Sequence, residues 1–209
     1  MTRELTHFIG GQHVAGASGR FSDVFDPSTG EVQARVPLAS TAEVAAAIAN
    51  AEEAQREWGD TNPQKRARVL LKFLELVAKD MDNLARTLSS EHGKTFEDSK
   101  GDIQRGVEVI EFATGAPHLL KGEYSTGAGA GIDVYSMRQP LGVVAGITPF
   151  NFPAMIPLWK MGPALAAGNS FILKPSERDP SVPLRIAELF LEAGLPAGVA
   201  IRSDLLSGD

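Results

Sequence analysis

The sequence has no cysteine among its 209 residues. This absence excludes disulfide scaffolds and metal sites built from thiolates. It also excludes a thiolate of this chain as the nucleophile of a covalent reaction. Any such chemistry needs other side chains, or a cysteine from outside this sequence.

Basic clusters and long apolar runs are also missing. The formal net charge is -6, which argues against a surface for nucleic acid or anionic membranes, because such surfaces need clustered Lys and Arg. The longest apolar run is far below the roughly 18 residues of a membrane helix, and the first residues are polar, unlike a signal peptide. We expect a cytoplasmic protein without nucleic-acid or membrane partners.

The histidines lack the spacing of metal ligands, and we expect them to be surface or packed residues. They are His7, His13, His92 and His118. No metal site is therefore predicted from the sequence.

Apolar periodicity predicts four helices before residue 115. Ser40 and Glu43 form a capping box ahead of the first helix, and Asn62-Pro63 is a typical start for the second. Leu84 and Leu88 are assigned to a third helix, and a fourth spans about 95–114. The stripes expected to face the core are Val44, Ile48, Ala51, Ala54 and Trp58, then Ala67, Leu70, Leu71, Leu74, Val77 and Met81.

Residues 122–139 differ in composition from the preceding helices. Small residues come first, and every second residue of the following stretch, starting with Ile132 and Val134, belongs to one alternating pattern. This pattern predicts an extended β-arm, and a strand without a partner in its own chain is a template for pairing. The glycines between Gly127 and Gly131 lack the GxGxxG spacing. We interpret them as a flexible loop rather than a phosphate cradle.

Residues 141–148 form an apolar, β-branched run that predicts a strand buried on both faces of a parallel sheet. Pro149 ends the strand, and Asn151 follows between two Phe rings. A side-chain amide offers two donors that do not titrate, which suits it to hold the negative oxygen that develops when a carbonyl is attacked. The alternative is that Asn151 caps the helix starting near Pro153 or Ala154. The residues alone leave both interpretations open.

Residues 170–173 predict a second, short strand, and Asp179-Pro180 is expected to cap a helix that runs through Ala193. Lys174 and Glu177 follow its carboxyl end, where open α/β sheets place their ligands. A carboxylate and an ammonium could hold a ribose diol or a phosphate. The spacing alone favours a solvated loop pair, because such pairs are common and weak.

Several motifs occur in the order and spacing of one known family. They are Phe8-Ile9-Gly10-Gly11, Asp26-Pro27-Ser28-Thr29-Gly30-Glu31, Glu91-His92-Gly93-Lys94, Pro149-Phe150-Asn151-Phe152-Pro153, Trp159-Lys160, Pro163-Ala164-Leu165-Ala166-Ala167-Gly168-Asn169 and Lys174-Pro175-Ser176-Glu177. The chain resembles the NAD(P)-dependent aldehyde dehydrogenase superfamily from its N-terminus to about Val199. Within it, residues 139–159 are most similar to the methylmalonate-semialdehyde dehydrogenases, with Phe150 where most relatives carry Trp.

The resemblance implies roles for single residues. Asn151 corresponds to the oxyanion-hole amide, and Lys174 and Glu177 to the residues that bind the adenosine ribose of NAD. Arg105 matches an arginine that helps to hold the substrate carboxylate, a task suited to a guanidinium fork. The residues expected to line the nicotinamide side are Ile147, Thr148 and Pro149, and Phe150 is assigned to the cofactor site with them.

Arg105 also has a simpler interpretation. Asp102 and Glu108 lie three residues to either side, which is the spacing of a solvated ion-pair ladder on a helix. Without the resemblance, the ladder is the favoured interpretation.

The sequence also departs from the family pattern. The family attacks the aldehyde with a cysteine and seats the cofactor pyrophosphate on a Gly-rich turn, and neither is present. Residues 200–209 do not match the next strand of the family's sheet. We therefore expect an N-terminal portion without the catalytic domain, inactive alone, with weak or no NAD binding. We also expect the strand at 170–173 and the following helix to lack cover, so that the chain self-associates or is unstable as a monomer.

The fold expected is α/β, an incomplete Rossmann-like doubly wound nucleotide-binding domain with a protruding β-arm. Residues 1–121 and 140–209 would form the domain, and 122–139 the arm for a subunit contact. The resemblance implies a portion of an NAD-dependent, CoA-acylating dehydrogenase of methylmalonate or malonate semialdehyde, with coenzyme A as co-substrate. Its partners would be copies of itself or a missing C-terminal portion. The alternatives are a non-catalytic assembly fragment, or a relative acting on another semialdehyde.

Overall fold

The computed structural model describes residues 2–203. Six helices lie in this range: α1 (Thr41–Asp60), α2 (Pro63–His92), α3 (Phe96–Ala113), α4 (Ala116–Leu119), α5 (Met155–Ala166) and α6 (Ser181–Glu192). The ten strands in the same range are β1 (Arg3–Glu4), β2 (His7–Ile9), β3 (Gln12–Val14), β4 (Phe21–Phe25), β5 (Val32–Pro37), β6 (Tyr124–Gly129), β7 (Ile132–Tyr135), β8 (Val143–Ile147), β9 (Ser170–Lys174) and β10 (Ala200–Arg202).

The main sheet has five strands in the order β3-β2-β10-β9-β8. Strands β8, β9 and β10 run parallel to one another, and β10 pairs antiparallel with β2 of the N-terminal hairpin. A second sheet joins β1, β5 and β4. The parallel strands and their connecting helices confirm the α/β fold.

Helices cover both faces of the parallel strands. Ile172 of β9 packs with Ala47 and Ala51 of α1 on one face. Its neighbours Phe171 and Leu173 belong to the core cluster that contains residues of α2, α5 and α6 on the other face. Alternate residues of a strand point to opposite faces, so the central strand is buried on both.

The expected lack of cover around β9 is wrong. Ala200, Ile201 and Arg202, assigned to a divergent tail, form β10 along the edge of β9. The α6 residues Ile186, Leu189 and Phe190 are at most 1% exposed. Residues 204–209 of the predicted tail lie outside the described range. The self-association expected from this surface therefore loses its basis.

The open strand is β8 instead, which corrects the prediction of a strand buried on both faces. It lies at the end of the sheet with β9 as its neighbour. Leu141 is 88% exposed and Ile147 is 70% exposed. An apolar, β-branched sequence indicated a strand correctly, but burial depends on which elements pack beside it.

The helix predictions need two corrections. Leu84 and Leu88 do not start a third helix but continue α2, because the three-to-four spacing runs on from Val77 without a breaker. Ile48 and Leu71, assigned to core stripes, are 41% and 50% exposed. The predicted capping box of Ser40 and Glu43 is confirmed.

The arm is a two-stranded hairpin of β6 and β7, and all residues of both strands are exposed. Strand β7 therefore has a partner in its own chain. Gly127 and Gly129 belong to β6 rather than to a flexible loop, and Gly131 lies in the turn with φ 71°. Asp133 ties the hairpin by accepting from the Tyr124 hydroxyl at 2.6 Å and the Gly127 amide at 3.0 Å.

Within residues 2–203, the structure contains no helix long and apolar enough to cross a membrane.

Candidate functional site

Two loops leave the same edge of the main sheet. Ile147 at the end of β8 is in register with Lys174 at the end of β9. The Thr148 amide donates to the Lys174 carbonyl at 3.0 Å, which extends the pairing by one residue. Residues 148–154 and 174–180 therefore start side by side at the carboxyl ends of parallel strands, where ligands of α/β sheets bind.

Asn151 lies exposed in the first of these loops. The N-cap of α5 is Ala154, and it makes no side-chain cap. The Met155 amide instead donates to Asp102 Oδ1 at 2.8 Å. The capping interpretation of Asn151 is therefore wrong, and its side-chain amide makes no hydrogen bond to the described residues. Its oxyanion role stays a prediction.

Lys174 and Glu177 meet in the second loop. Lys174 Nζ lies 3.1 Å from Glu177 Oε2, and the two side chains are 17% and 43% exposed. The pKa of Glu177 is lowered, first by a hydrogen bond from its own backbone amide and then by Lys174. The pair thus presents an ionised acceptor and a cationic donor in close contact.

The two loops are joined by Phe150 and Arg178. The Arg178 guanidinium carbon lies 4.7 Å from the centre of the Phe150 ring, a cation–π geometry. Both residues border a cavity of about 440 Å³. The other residues that line it are Ser22, Asp23, Phe25, Pro27, Glu91, His92, Glu177 and Asp179.

Asp179 is a buried acid at the end of the second loop. It is 2% exposed, and its Oδ1 has no hydrogen-bond partner among the described residues. Burial raises its pKa to about 8, and the negative charges of Glu91 and Asp102 add to the shift. The cap predicted from Asp179-Pro180 is also wrong, because Pro180 is the N-cap of α6 and makes no side-chain cap.

Glu91 takes the capping role at α6. Its Oε2 accepts from the Ser181 amide at 3.0 Å, and its Oε1 accepts from the Ser181 hydroxyl. Burial raises the pKa of Glu91, although the bonds from Ser181 oppose this shift. Glu91 and Asp102 therefore cap the helices that follow the two loops. The sequence signal for Glu91 was the Glu91-His92-Gly93-Lys94 motif, and no local signal marked Asp102.

Arg105 is exposed on α3. It forms no ion pair with any residue between 2 and 203, so the predicted ladder is wrong. Asp102, its expected partner, is bonded to Lys94 and Met155 instead. The Arg105 carbonyl accepts from Trp159 Nε1 at 3.0 Å, which brings α3 and α5 together here. Its contact with a substrate carboxylate stays a prediction.

The segment predicted for the cofactor site, residues 147–150, is partly accessible. Ile147 is 70% exposed and Phe150 is 47% exposed. Thr148 is buried, and its hydroxyl has no partner in the described chain. Pro149 is exposed. Lys160 of α5 donates to the Ile147 carbonyl at 2.8 Å, which fixes the end of β8. The contact of this segment with the nicotinamide stays a prediction.

No group of three or more His, Cys, Asp or Glu in the described part of the chain has the arrangement of a metal site.

Comparison with known proteins finds malonate- and methylmalonate-semialdehyde dehydrogenases among the relatives of this chain. The chain is 55% identical to the malonate-semialdehyde dehydrogenase of Pseudomonas aeruginosa over 93% of its own length and 39% of the relative's. It is 51% identical to the acylating methylmalonate-semialdehyde dehydrogenase of Arabidopsis thaliana, covering 95% of the chain and 33% of that protein. The chain thus spans about two fifths or less of these relatives.

A solved structure from Sinorhizobium meliloti 1021, described as a methylmalonate-semialdehyde dehydrogenase complexed with NAD, superimposes with a TM-score of 0.96 and 61% identity. The match covers 100% of this chain and 42% of that one. The model of the aldehyde dehydrogenase family matches residues 13–202. The chain therefore belongs to the aldehyde dehydrogenase family.

Proposed function

We propose that this chain supplies the cofactor-binding and oxyanion-binding part of an NAD-dependent, CoA-acylating dehydrogenase of malonate or methylmalonate semialdehyde. One observation carries the proposal. The Asn151 amide is uncommitted in the loop after β8, next to the loop that presents the Lys174–Glu177 pair after β9. The names of the relatives support the substrate class.

The donor set of the second loop fits the ribose of NAD. The ionised Glu177 carboxylate can accept from ribose hydroxyls, and the Lys174 ammonium can donate to them. Their mutual contact at 3.1 Å holds both groups at the carboxyl end of β9. NAD, when bound, supplies the acceptor for the hydride that leaves the substrate.

Asn151 would act on the substrate oxygen. When the aldehyde carbon is attacked, its oxygen becomes negative, and a fixed amide donor stabilises that charge more than the neutral carbonyl. The family's nucleophile is a cysteine, and this sequence contains none. Turnover therefore requires a thiolate from outside this sequence.

The remaining parts of the proposal are that Arg105 binds the substrate carboxylate and that coenzyme A accepts the acyl group. Arg105 has no ion-pair partner within the described residues, so its guanidinium is available to grip a carboxylate with two donors. That carboxylate distinguishes a semialdehyde acid from a simple aldehyde. Coenzyme A as acyl acceptor rests on the acylating activity in the name of the Arabidopsis thaliana relative.

A hybrid enzyme tests these roles. In it, this chain replaces the segment that it matches in the Pseudomonas aeruginosa relative, and NADH formation is measured with malonate semialdehyde, methylmalonate semialdehyde and coenzyme A. Asn151→Ala should lower kcat by about 10²- to 10³-fold. Arg105→Met should raise KM for the semialdehydes but not for propanal, which lacks the carboxylate. Lys174→Met should raise KM for NAD.

The unsubstituted hybrid and the intact relative are the controls. An Asn151→Ala hybrid that keeps its kcat would remove the oxyanion role. Equal effects of Arg105→Met on the semialdehydes and on propanal would remove the carboxylate role. The isolated chain should form no NADH and should bind NAD more weakly than micromolar, because ribose hydrogen bonds of about 1 kcal/mol each do not offset the cost of association.

A second candidate function is assembly through the hairpin. Its exposed apolar side chains include Tyr124, Ile132, Val134 and Tyr135, all more than half exposed. This surface favours a contact with another subunit, most simply a second copy. If the chain associates, Ile132→Asp should weaken association in analytical ultracentrifugation. Ile48→Asp, at a 41% exposed position of α1, is the matched control, and equal effects would argue against a specific contact.

A further inference from the structure

The end of α2 carries a family motif to which no role has yet been given beyond Glu91. Gly93 ends the helix in the left-handed region, with φ 85°. A Cβ at this position would also lie 2.9 Å from Pro27 Cγ. Glycine is therefore required for the turn that directs the next residue, Lys94, away from the helix.

Lys94 reaches the Asn151 loop. Its Nζ donates to the Asn151 carbonyl at 2.8 Å and to Asp102 Oδ2 at 2.8 Å. The same ammonium lies 4.1 Å from the centre of the Phe152 ring. The Lys94 side chain is 10% exposed, so one nearly buried cation contacts both the backbone of Asn151 and the side chain that follows it.

Asp102 holds the other end of the same short segment. Its side chain is fully buried, and its second oxygen accepts from the Met155 amide at 2.8 Å. One turn further along α3, a Cβ at Gly106 would lie 2.6 Å from Leu158 Cδ1. Helices α3 and α5 are thus in close contact, which leaves Asp102 little freedom to move relative to α5.

We propose that Lys94, with Asp102, is a positioning residue that fixes the pose of the backbone that carries the Asn151 side-chain amide. The ion pair grips residues 151–155 at both ends, by a carbonyl at Asn151 and an amide at Met155. An oxyanion donor is effective only when it is oriented before the charge develops, and the Asn151 side chain has no partner of its own among the described residues to orient it. The catalytic meaning of this pose rests on the proposed function, but the pose itself does not.

The test is ¹⁵N relaxation of the backbone amides of Asn151 and Phe152, which flank the carbonyl that Lys94 binds, in the full chain. Three variants are compared: Lys94→Met, which keeps the stem and removes the charge, Lys94→Arg, which keeps the charge, and Lys100→Met as a matched control. Lys100 makes similar contacts elsewhere, with Asp82 at 2.8 Å and with the Phe96 ring at 4.5 Å. Amides of β9 report whether each variant remains folded.

The unsubstituted chain and Lys100→Met should give order parameters for these two backbone amides near the rigid value of about 0.85, and Lys94→Met should lower them below about 0.6. Lys94→Arg should keep most of the order. Backbone amides of Asn151 and Phe152 that stay rigid in a folded Lys94→Met variant would overturn the proposal. If that variant does not fold, a value below about 0.6 in the unsubstituted chain would overturn it as well. Failure of the Asn151→Ala hybrid to lose kcat would instead count against the oxyanion role alone.

Discussion

Strand β9 has two neighbours, β8 and β10, that differ in environment. Both are short and parallel to β9, and each contains one isoleucine. In β10, Ile201 is fully buried between β9 and the N-terminal hairpin, whereas in β8, Ile147 is 70% exposed. The difference comes from the sheet itself, because β10 lies between β9 and β2 of the N-terminal hairpin, while β8 has β9 as its only described sheet neighbour. We therefore expect the isoleucine of β10 to contribute much to the free energy of unfolding, and the isoleucine of β8 to contribute little.

The largest expected effect on stability comes from replacing the isoleucine of β10 by aspartate, compared with the same substitution in β8. Ile201→Asp buries a carboxylate among Ala47, Ala51 and Ile172, and we expect it to reduce the free energy of unfolding by more than about 4 kcal/mol. Ile147→Asp at an exposed position should change it by about 0.5 kcal/mol or less. Urea unfolding followed by circular dichroism measures both. Similar losses at the two positions would mean that β8 is as well covered as β10.

The second prediction concerns pH and the loop after β9. The Asp179 pKa of about 8 lies above its ordinary value of 3.8. The folded state keeps this proton while the unfolded state loses it, so the free energy of unfolding falls as pH rises between these values and levels off above about pH 8. The slope from this group is at most about 1.4 kcal/mol per pH unit.

Asp179→Asn should remove that slope. The charges of Glu91, Asp102 and Lys94 also shift the pKa of Asp179, and this substitution leaves all three in place. Glu177→Gln, which removes a different carboxylate from the same loop, is the control. The measurement is urea unfolding at intervals from pH 5 to pH 9. A constant stability difference between Asp179→Asn and the unsubstituted chain over this range would contradict the raised pKa.

The third prediction concerns the inner face of β8. A Cβ at Gly146 would lie 2.4 Å from Phe171 Cζ of β9, so Gly146→Ala should cost about 1–3 kcal/mol through overpacking. Its exposed neighbour Ala145 faces the other way, and Ala145→Val should change stability by about 0.5 kcal/mol or less. Thermal unfolding of both variants tests whether β8 is packed on one face and open on the other. Equal effects would refute that asymmetry.

The smallest expected effect on stability belongs to the candidate ribose pair. Glu177 is 43% exposed in its side chain, and exposed ion pairs contribute about 0–1 kcal/mol. Glu177→Gln should therefore leave the urea midpoint nearly unchanged at pH 7. In the hybrid enzyme, the same substitution should raise KM for NAD. A large loss of stability would indicate that Glu177 has a structural role rather than a binding one.

Much of the fold was predictable because its signals are local. The capping box of Ser40 and Glu43 and the start of α2 at Asn62-Pro63 both depend on contacts within a few residues. The family motifs also identified Asn151, Lys174 and Glu177, and the register of β8 with β9 brings their loops together. Their chemical roles remain predictions.

The errors share one physical cause. Asn151 and Asp179 were each assigned as a cap of the helix that follows, but Asp102 and Glu91 supply those bonds across 53 and 90 positions of the chain. The tail at Ala200 became β10 because it pairs with β9 and β2, not because of its own pattern. A buried backbone group takes whichever partner the packing brings near, and sequence spacing does not report that partner.

The sequence by itself determined the family and most of the helices and strands, and it singled out the loop residues proposed to bind a ribose or an oxyanion, since these follow from local pattern and side-chain chemistry. Tertiary structure alone decided which strand is open, which acids are buried, and that Lys94 grips the carbonyl of Asn151. These properties depend on groups far apart in the chain, because burial and hydrogen-bond partners are set by the final packing of elements.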